Sequence, residues 1–339
     1  MSERKLASIQ SVLDLQPIEG ADLIEVATVN GWKLVVKKGE FQKGDLAIYC
    51  EIDSMLPICD EFEFLRKGCY KVVDGKEGFR LKTIKLRGQV SQGLLIPIST
   101  LKGKIDNGVY NTLSIGDDVT KALGVWKFEP PIPAQLAGVM RGNFPSFIPK
   151  TDEERIQNLT SAYDNYKTNT FYVTEKLDGS SATFYHNNGV FGVCSRNIDL
   201  LETEDNTFWK VARQLDIEPL LSAMGNFALQ GELIGEGIQG NPYKIKGQTV
   251  YFFNCFDIDK QSYMPYEQFI ITMTMNGLTH VPVIAPSFTL PETIDELLVY
   301  AEGKSLLNEQ TNREGIVVRS HNRNISFKAI SNNWLLKEK

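Results

Sequence analysis

Between Phe171 and Arg196 the chain reads FYVTEKLDGSSATFYHNNGVFGVCSR, and no other stretch constrains the fold as much. Residues 171–174, 182–185 and 190–194 are short β-branched and aromatic runs, too short for helices, so they read as strands. The first delivers Lys176 into Asp178, Gly179 and two serines, the chemistry of a tight turn. Runs at 228–233, 250–258, 315–319 and 325–330 have the same character. Helical length and period appear at 206–223, with a break near Pro219, and at 291–307. The second half of the chain therefore mixes strands with helices, the α+β class.

The first 125 residues have a different rhythm. Runs at 24–29, 32–36 and 45–52 are split by Asn30-Gly31, Lys38-Gly39 and Lys43-Gly44, the spacing of an all-β barrel or sandwich. A later run, 78–88, alternates apolar with basic residues, so one strand face is expected to carry Arg80 and Lys82 and to extend to Lys85 and Arg87. From Arg66 to Arg87 there are eight basic residues against two acidic ones, in a chain of net charge −6. That island is either an ordinary solvated face or a surface that tracks nucleic-acid phosphates. The net charge itself speaks against a protein that coats nucleic acid indiscriminately. Prolines between 130 and 149 mark an extended linker. Thr151 with its acidic followers reads as the start of a short helix. The expected bounds are a β domain at 1–125, a linker at 126–150 and a second domain at 151–339.

The five cysteines are scattered and never form Cys-x-x-Cys, which suits free thiols in a reducing compartment. Three histidines without ligand spacing make a structural zinc site an unsuitable reading. The N-terminus is polar and no run approaches the roughly 18 apolar residues of a membrane span, so a soluble, intracellular protein is expected.

A lysine at a strand end acts as a nucleophile only if it loses its proton near neutrality. Its pKa must then fall from roughly 10.4, through desolvation or a neighbouring cation. Lys176-Leu177-Asp178-Gly179 has the Lys-x-Asp-Gly form of the covalent nucleotidyltransferases; a surface lysine beside an Asp-Gly turn is the plain alternative. Further segments follow in the order that superfamily shows: Ser195-Arg196, Gln230-Gly231-Glu232-Leu233-Ile234-Gly235, the aromatic run from Phe252 to Asp257, Glu314-Gly315-Ile316-Val317-Val318-Arg319, and Ser326-Phe327-Lys328-Ala329-Ile330. With its long β-rich N-terminal stretch the chain resembles the ATP-dependent RNA ligases of the Deinococcus and Naegleria type. The resemblance covers nearly the whole sequence.

It implies an N-terminal OB-type β-barrel, then an α+β nucleotidyltransferase domain, ATP-grasp-like and built on antiparallel sheets. It implies ATP with Mg²⁺ or Mn²⁺, and an RNA partner, here expected to be a nicked duplex met by a monomer through Arg80, Lys82, Lys85 and Arg87. Lys176 would form lysyl-AMP, pass the AMP to an RNA 5′-phosphate and so prepare attack by a 3′-hydroxyl. Asp178, Asp257 and Glu314 would hold the metal, and Lys328 the α-phosphate. Arg196 and Glu232 would take the ribose hydroxyls. Phe256 would stack on adenine, with Phe253 in its place if the register differs, and Glu175 would meet the adenine edge. One departure is visible: the closing motif has one lysine where the family commonly has two, and Lys337 would substitute only if the tail folds back. Eleven residues follow Lys328, so the barrel is expected before the lysine, unlike capping enzymes and DNA ligases. The reading from another class, a nucleic-acid-binding protein with a degenerate transferase domain, predicts lost motif residues, yet Lys176, Glu232 and Glu314 are all present.

Overall fold

The computed structural model describes residues 4–129 and 140–337. Residues 130–139, the centre of the expected proline-rich linker, lie outside the described residues. The chain divides into two compact units, one holding residues up to 129 with Gln157–Thr160 and residues 335–337, the other residues 140–156 with Ser161–Trp334.

The N-terminal unit is built from small antiparallel sheets. Ala7–Ser11, Leu46–Cys50 and Leu94–Pro97 form one, and Asp14–Ile18, Ala21–Val29 and Trp32–Lys37 another. Asn30 takes a φ of 51° in the expected turn. Gly31 beside it leaves no room for a side chain, because a Cβ would sit 2.9 Å from the Cα of Gln157. A buried cluster that includes Ile9, Ile48, Leu56, Phe79 and Ile96 fills the interior.

The expected strand over 78–88 is two elements. Lys76–Arg80 ends at Arg80, and Ile84–Leu86 pairs with Gln89–Ser91 in a separate hairpin. Arg87 and Gly88 both take positive φ, 48° and 85°, so the chain turns where the alternating pattern appeared to continue. Arg80, Lys82, Lys85 and Arg87 therefore do not share a strand face.

The C-terminal unit contains two antiparallel sheets. The larger has seven strands, in the order Met140–Asn143, Ile198–Leu200, Val190–Cys194, Ser180–Asn187, Phe227–Gly235, Gln248–Asp257 and Ser262–Tyr263. The smaller has four, Val283–Phe288, Phe171–Lys176, Gly315–Ser320 and Ser326–Ile330. Helices Thr207–Gln214, Ile217–Met224 and Tyr266–Met275 cover one face of the larger sheet through Trp209, Leu221, Phe269 and Met273.

Three expectations need correction. The break in the 206–223 helix falls at Asp216, whose φ is 49°, and Pro219 lies within the first turn of the second helix, where its missing N–H costs nothing. The helix expected over 291–307 is Ile294–Ala301, opened by a reciprocal cap between Thr293 and Glu296. No helix starts at Thr151: residues 151–154 belong to no helix or strand, and their polar groups bond outward to Ser181, Arg196 and Arg319 rather than to a helical turn. Among the described residues, no helix is long and apolar enough to cross a membrane.

Candidate active site

Lys176 ends its strand opposite Gly315, so Glu314, one residue before, is carried alongside it. Both carboxylate oxygens of Glu314 lie against the lysine Nζ, at 2.7 and 2.8 Å. Tight backbone packing makes this approach possible. A Cβ on Gly315 would fall 2.3 Å from the Ala329 carbonyl oxygen, and one on Gly179 would fall 2.4 Å from that of Leu233 and 2.9 Å from the Cγ of Glu232. The glycine of each motif thus lets the lysine turn and the Glu314 strand press against their neighbours. The Asp178 N–H donates to the Tyr243 hydroxyl at 2.6 Å, which anchors the turn.

Three carboxylates set the electrostatics. Burial pulls the Lys176 ammonium down, but Glu314 and Glu232, with Asp178, outweigh it and hold the pKa above its ordinary value. This is opposite to the depressed lysine that the sequence argument requires. Burial also pushes Glu232 up to about 8; Lys176 and the Gly179 N–H oppose the rise, while Glu314 and Asp178 add to it. A carboxyl raised in the folded state favours folding fully below its unfolded pKa, and that contribution disappears as pH climbs through the folded value. The nucleotide-free protein should therefore lose stability from about pH 4.5 to about 8, and Glu232→Gln should flatten that fall. Melting temperatures at the two ends of the window test this; an unchanged difference in the variant would exclude Glu232 as the source.

Lys328 shares the Lys176 face. It lies two residues from Ile330, the partner of Gly315, roughly 7 Å along the strand. Arg196 is exposed and pairs with Asp152 at 2.7 Å, an ion pair of small worth. Glu175, by strand alternation, faces away from Lys176 and is 1% exposed. Its Oε2 accepts the Leu306 N–H at 2.7 Å, and its Oε1 is buried without a hydrogen-bond partner. Burial raises the pKa of this carboxyl, against the Ser305 side chain, the Leu306 N–H and Arg313.

The structure corrects two assignments. Asp257 is not brought to Lys176: it pairs with Phe227, five residues and roughly 17 Å along the strand from Glu232 and on the opposite face. Burial would raise its pKa, but the Lys260 N–H at 3.0 Å and ammonium at 2.9 Å draw it below the usual value. Phe256 is 3% exposed in a closed cluster with Ile148, Tyr185, Cys194 and Ala228, and leaves no open ring face for a base. A β-bulge instead re-aims Phe253: Gln230 pairs with Asn254 and Gly231 with Phe252, so Phe253 is the unpaired residue. It packs with Leu177, Tyr243 and Val281, directly beside the lysine turn. Lys337 is exposed and groups with the N-terminal unit.

Residues 151–155 were missed as part of the site. Thr151 meets Ser181 at 3.0 Å, Glu153 takes Arg319 at 3.1 Å and Ser326 at 2.6 Å, and the Glu154 carbonyl accepts the Lys328 N–H at 2.8 Å. The segment thus bonds to strands of both sheets and to the neighbours of Lys328. Its acidic run suggested a helix start, and only the hydrogen bonds reveal its use.

Among the described residues, no three His, Cys, Asp or Glu side chains form a ready-made metal cage. Asp178 and Glu314 beside the lysine are hard oxygen donors. One or two carboxylates completed by substrate phosphates are how Mg²⁺ is commonly held, so the residues present fit such an ion.

An OB-fold domain model matches residues 6–98 and an RNA ligase model matches residues 169–331. The chain is similar to solved structures of an RNA ligase from Naegleria gruberi. A mutant without ligand is 41% identical with TM-score 0.92 over 100% of this chain and 99% of that one. A mutant with ATP and Mn is 41% identical with TM-score 0.92, over 98% and 99%. Another with AMP and Mn is 42% identical with TM-score 0.92, over 99% of both. No protein with a curated description matches the sequence. Agreement at this identity from end to end, with the motif residues gathered where the ligase model matches, leaves one conclusion: the chain belongs to the RNA ligase family.

Proposed function

We infer that this chain is an ATP-dependent RNA ligase that seals 3′-hydroxyl and 5′-phosphate ends, with Lys176 as the residue that carries AMP. The observation that carries the reading is the clasp of both Glu314 oxygens on the Lys176 ammonium, with Glu232 and Asp178 beside it. A lysine held there as a cation is poised but unreactive until its carboxylates are engaged elsewhere. A bound Mg²⁺ or Mn²⁺ supplies positive charge that neutralises the nucleotide phosphates and favours the free amine. Asp178 and Glu314 would hold it. Released by Glu314, the Lys176 ammonium gives its proton to solvent, Nζ bonds to the α-phosphorus and the bond to pyrophosphate breaks. Lys328, on the same face, would steady the α-phosphate, and Glu232 and Arg196 would take the ribose hydroxyls, with Arg196 leaving Asp152 to do so.

Phe253 is the residue suited to stack on adenine, with the unpartnered Oε1 of Glu175 as an acceptor for an amino group at the base edge. Base–aromatic stacking is worth about 1–3 kcal/mol, so Phe253→Ala should raise the KM for ATP about tenfold or more with a smaller change in kcat. Equal KM values in variant and parent would return the role to another ring. AMP then passes to an RNA 5′-phosphate, and a 3′-hydroxyl displaces it. The favoured substrate is a nicked duplex, bound by a monomer through the N-terminal unit, where Arg80, Lys82, Lys85 and Arg87 are candidates. The free cysteines suit an intracellular setting. The direct test incubates the protein with ATP labelled at the α-phosphate and Mn²⁺, then denatures it. Label should remain on the chain; protein that never takes up label is not a ligase of this type.

A further inference from the structure

The N-terminal unit contains a small sheet in the order Trp126–Lys127, Ser54–Leu56, Lys76–Arg80, Tyr70–Val73. Leu56 and Phe79 turn one face of it into the core. By alternation the other face carries Lys71, Lys76, Gly78, Arg80 and Trp126. Gly78 vacates the space that the Trp126 indole fills, since a Cβ there would lie 2.6 Å from the indole Cη2. The Lys76 ammonium sits 3.6 Å from the centre of that indole. Arg80 lies 3.8 Å over the Phe128 ring, and Lys71 lies 5.7 Å from the same ring. Arg80 is also paired with Asp53 at 3.4 Å. Lys71 and Lys76 are exposed and form no ion pair among the described residues.

We propose that this face of cations laid on aromatic rings is where the N-terminal unit grips the sugar–phosphate backbone of its RNA duplex. The proposal rests on the ligase reading and adds to it which members of the basic island share a face, Lys71, Lys76 and Arg80 in place of the expected Arg80, Lys82, Lys85 and Arg87. An exposed cation–π contact is weak. It holds a lysine in place cheaply enough for a phosphate to draw it away, with release of counterions from the RNA. The ring left behind offers its face to a ribose. Backbone contacts of this kind carry no sequence information, which suits a sealing enzyme that must accept any junction.

Two other surfaces fit less well. The sheet of Asp14–Ile18, Ala21–Val29 and Trp32–Lys37 belongs to the part of an OB-type barrel that ordinarily meets nucleic acid, but Asp14, Asp22 and Glu25 there offset Lys33 and Lys37. The hairpin of Ile84–Leu86 and Gln89–Ser91 presents Lys85 and Arg87, yet among the described residues neither lies over a ring.

The test measures binding of the full chain to a nicked RNA duplex over a series of KCl concentrations. Two phosphate contacts contribute roughly 1.8 to the slope of log K against log salt, so Lys71→Ala/Lys76→Ala should flatten the slope by about that much and weaken binding about tenfold or more near 0.15 M salt. Lys71→Arg/Lys76→Arg, which keeps the charge, should restore both. A slope unchanged in the alanine pair, or a loss confined to Lys85→Ala/Arg87→Ala, overturns the proposal. Charging of the unmutated protein with α-labelled ATP, run without RNA, keeps the two readings apart: its failure strikes the ligase chemistry and leaves the binding result to stand or fall alone.

Discussion

Lys176→Ala should take up no label from α-labelled ATP, a loss on the order of 10⁴-fold or more, because a missing nucleophile is not replaced by its surroundings. Lys176→Arg should fail equally. A guanidinium keeps the positive charge that Glu314 clasps, but with a pKa above roughly 12 it never becomes a neutral amine. The arginine variant thus separates two meanings of the clasp. If charge alone mattered, as in a structural ion pair, arginine would preserve function; if the amine reacts, it would not. RNA that already carries a 5′-AMP bypasses the lysine, so sealing of that substrate should persist in the alanine variant and would show that the site remains folded. Label retained by Lys176→Ala would move the chemistry to another residue.

The lysine and its partners were legible because each stands in a short motif whose spacing survives folding. Lys176 and Glu314 are 138 residues apart in the chain, yet each sits at the end of a strand read from its β-branched run, and the pairing of those strands brings them together. What the motifs did not carry was register. Phe252, Phe253, Phe256 and Asp257 share one strand, and a single bulge opposite Gln230 and Gly231 decides which side chains reach the lysine. Strand alternation shifts by one position at a bulge, and no local residue pattern announces it. The 151–155 segment was misread for a related reason. Its acidic residues satisfy a helix-start pattern locally, but their partners, Arg196, Arg319 and Ser326, are distant in sequence. The sign of the lysine's pKa shift was likewise invisible, because it depends on three carboxylates that only the folded sheets assemble. The basic island was real as composition but not as the one strand face expected of it, since the strand Lys76–Arg80 ends at Arg80 and Lys85 and Arg87 belong to a separate hairpin.

Gly315→Ala should be among the most damaging single-methyl changes in the chain. The added Cβ would lie 2.3 Å from the Ala329 carbonyl oxygen and 2.9 Å from the Ile330 Cα, both backbone atoms that no rotamer change can move aside. Gly315 pairs with Lys176 on one side and Ile330 on the other, so relief requires parting the strand of the nucleophile from the strand of Lys328. Overpacking of this kind costs about 3 kcal/mol, at the upper end of what buried methyls impose. For a unit of this size that corresponds to a fall of roughly 6–12 °C in melting temperature. Charging should suffer further in the protein that still folds, since Glu314 is the adjacent residue and a displacement of about 1 Å at a reacting group costs on the order of 10²-fold in rate. Gly142→Ala is the matched control: no atom lies within 4 Å of its added Cβ, and it should melt and charge like the parent. If the two variants behaved alike, close backbone approach would not be the reason that the Glu-Gly motif carries glycine here, and the placement of Glu314 against Lys176 would need another cause.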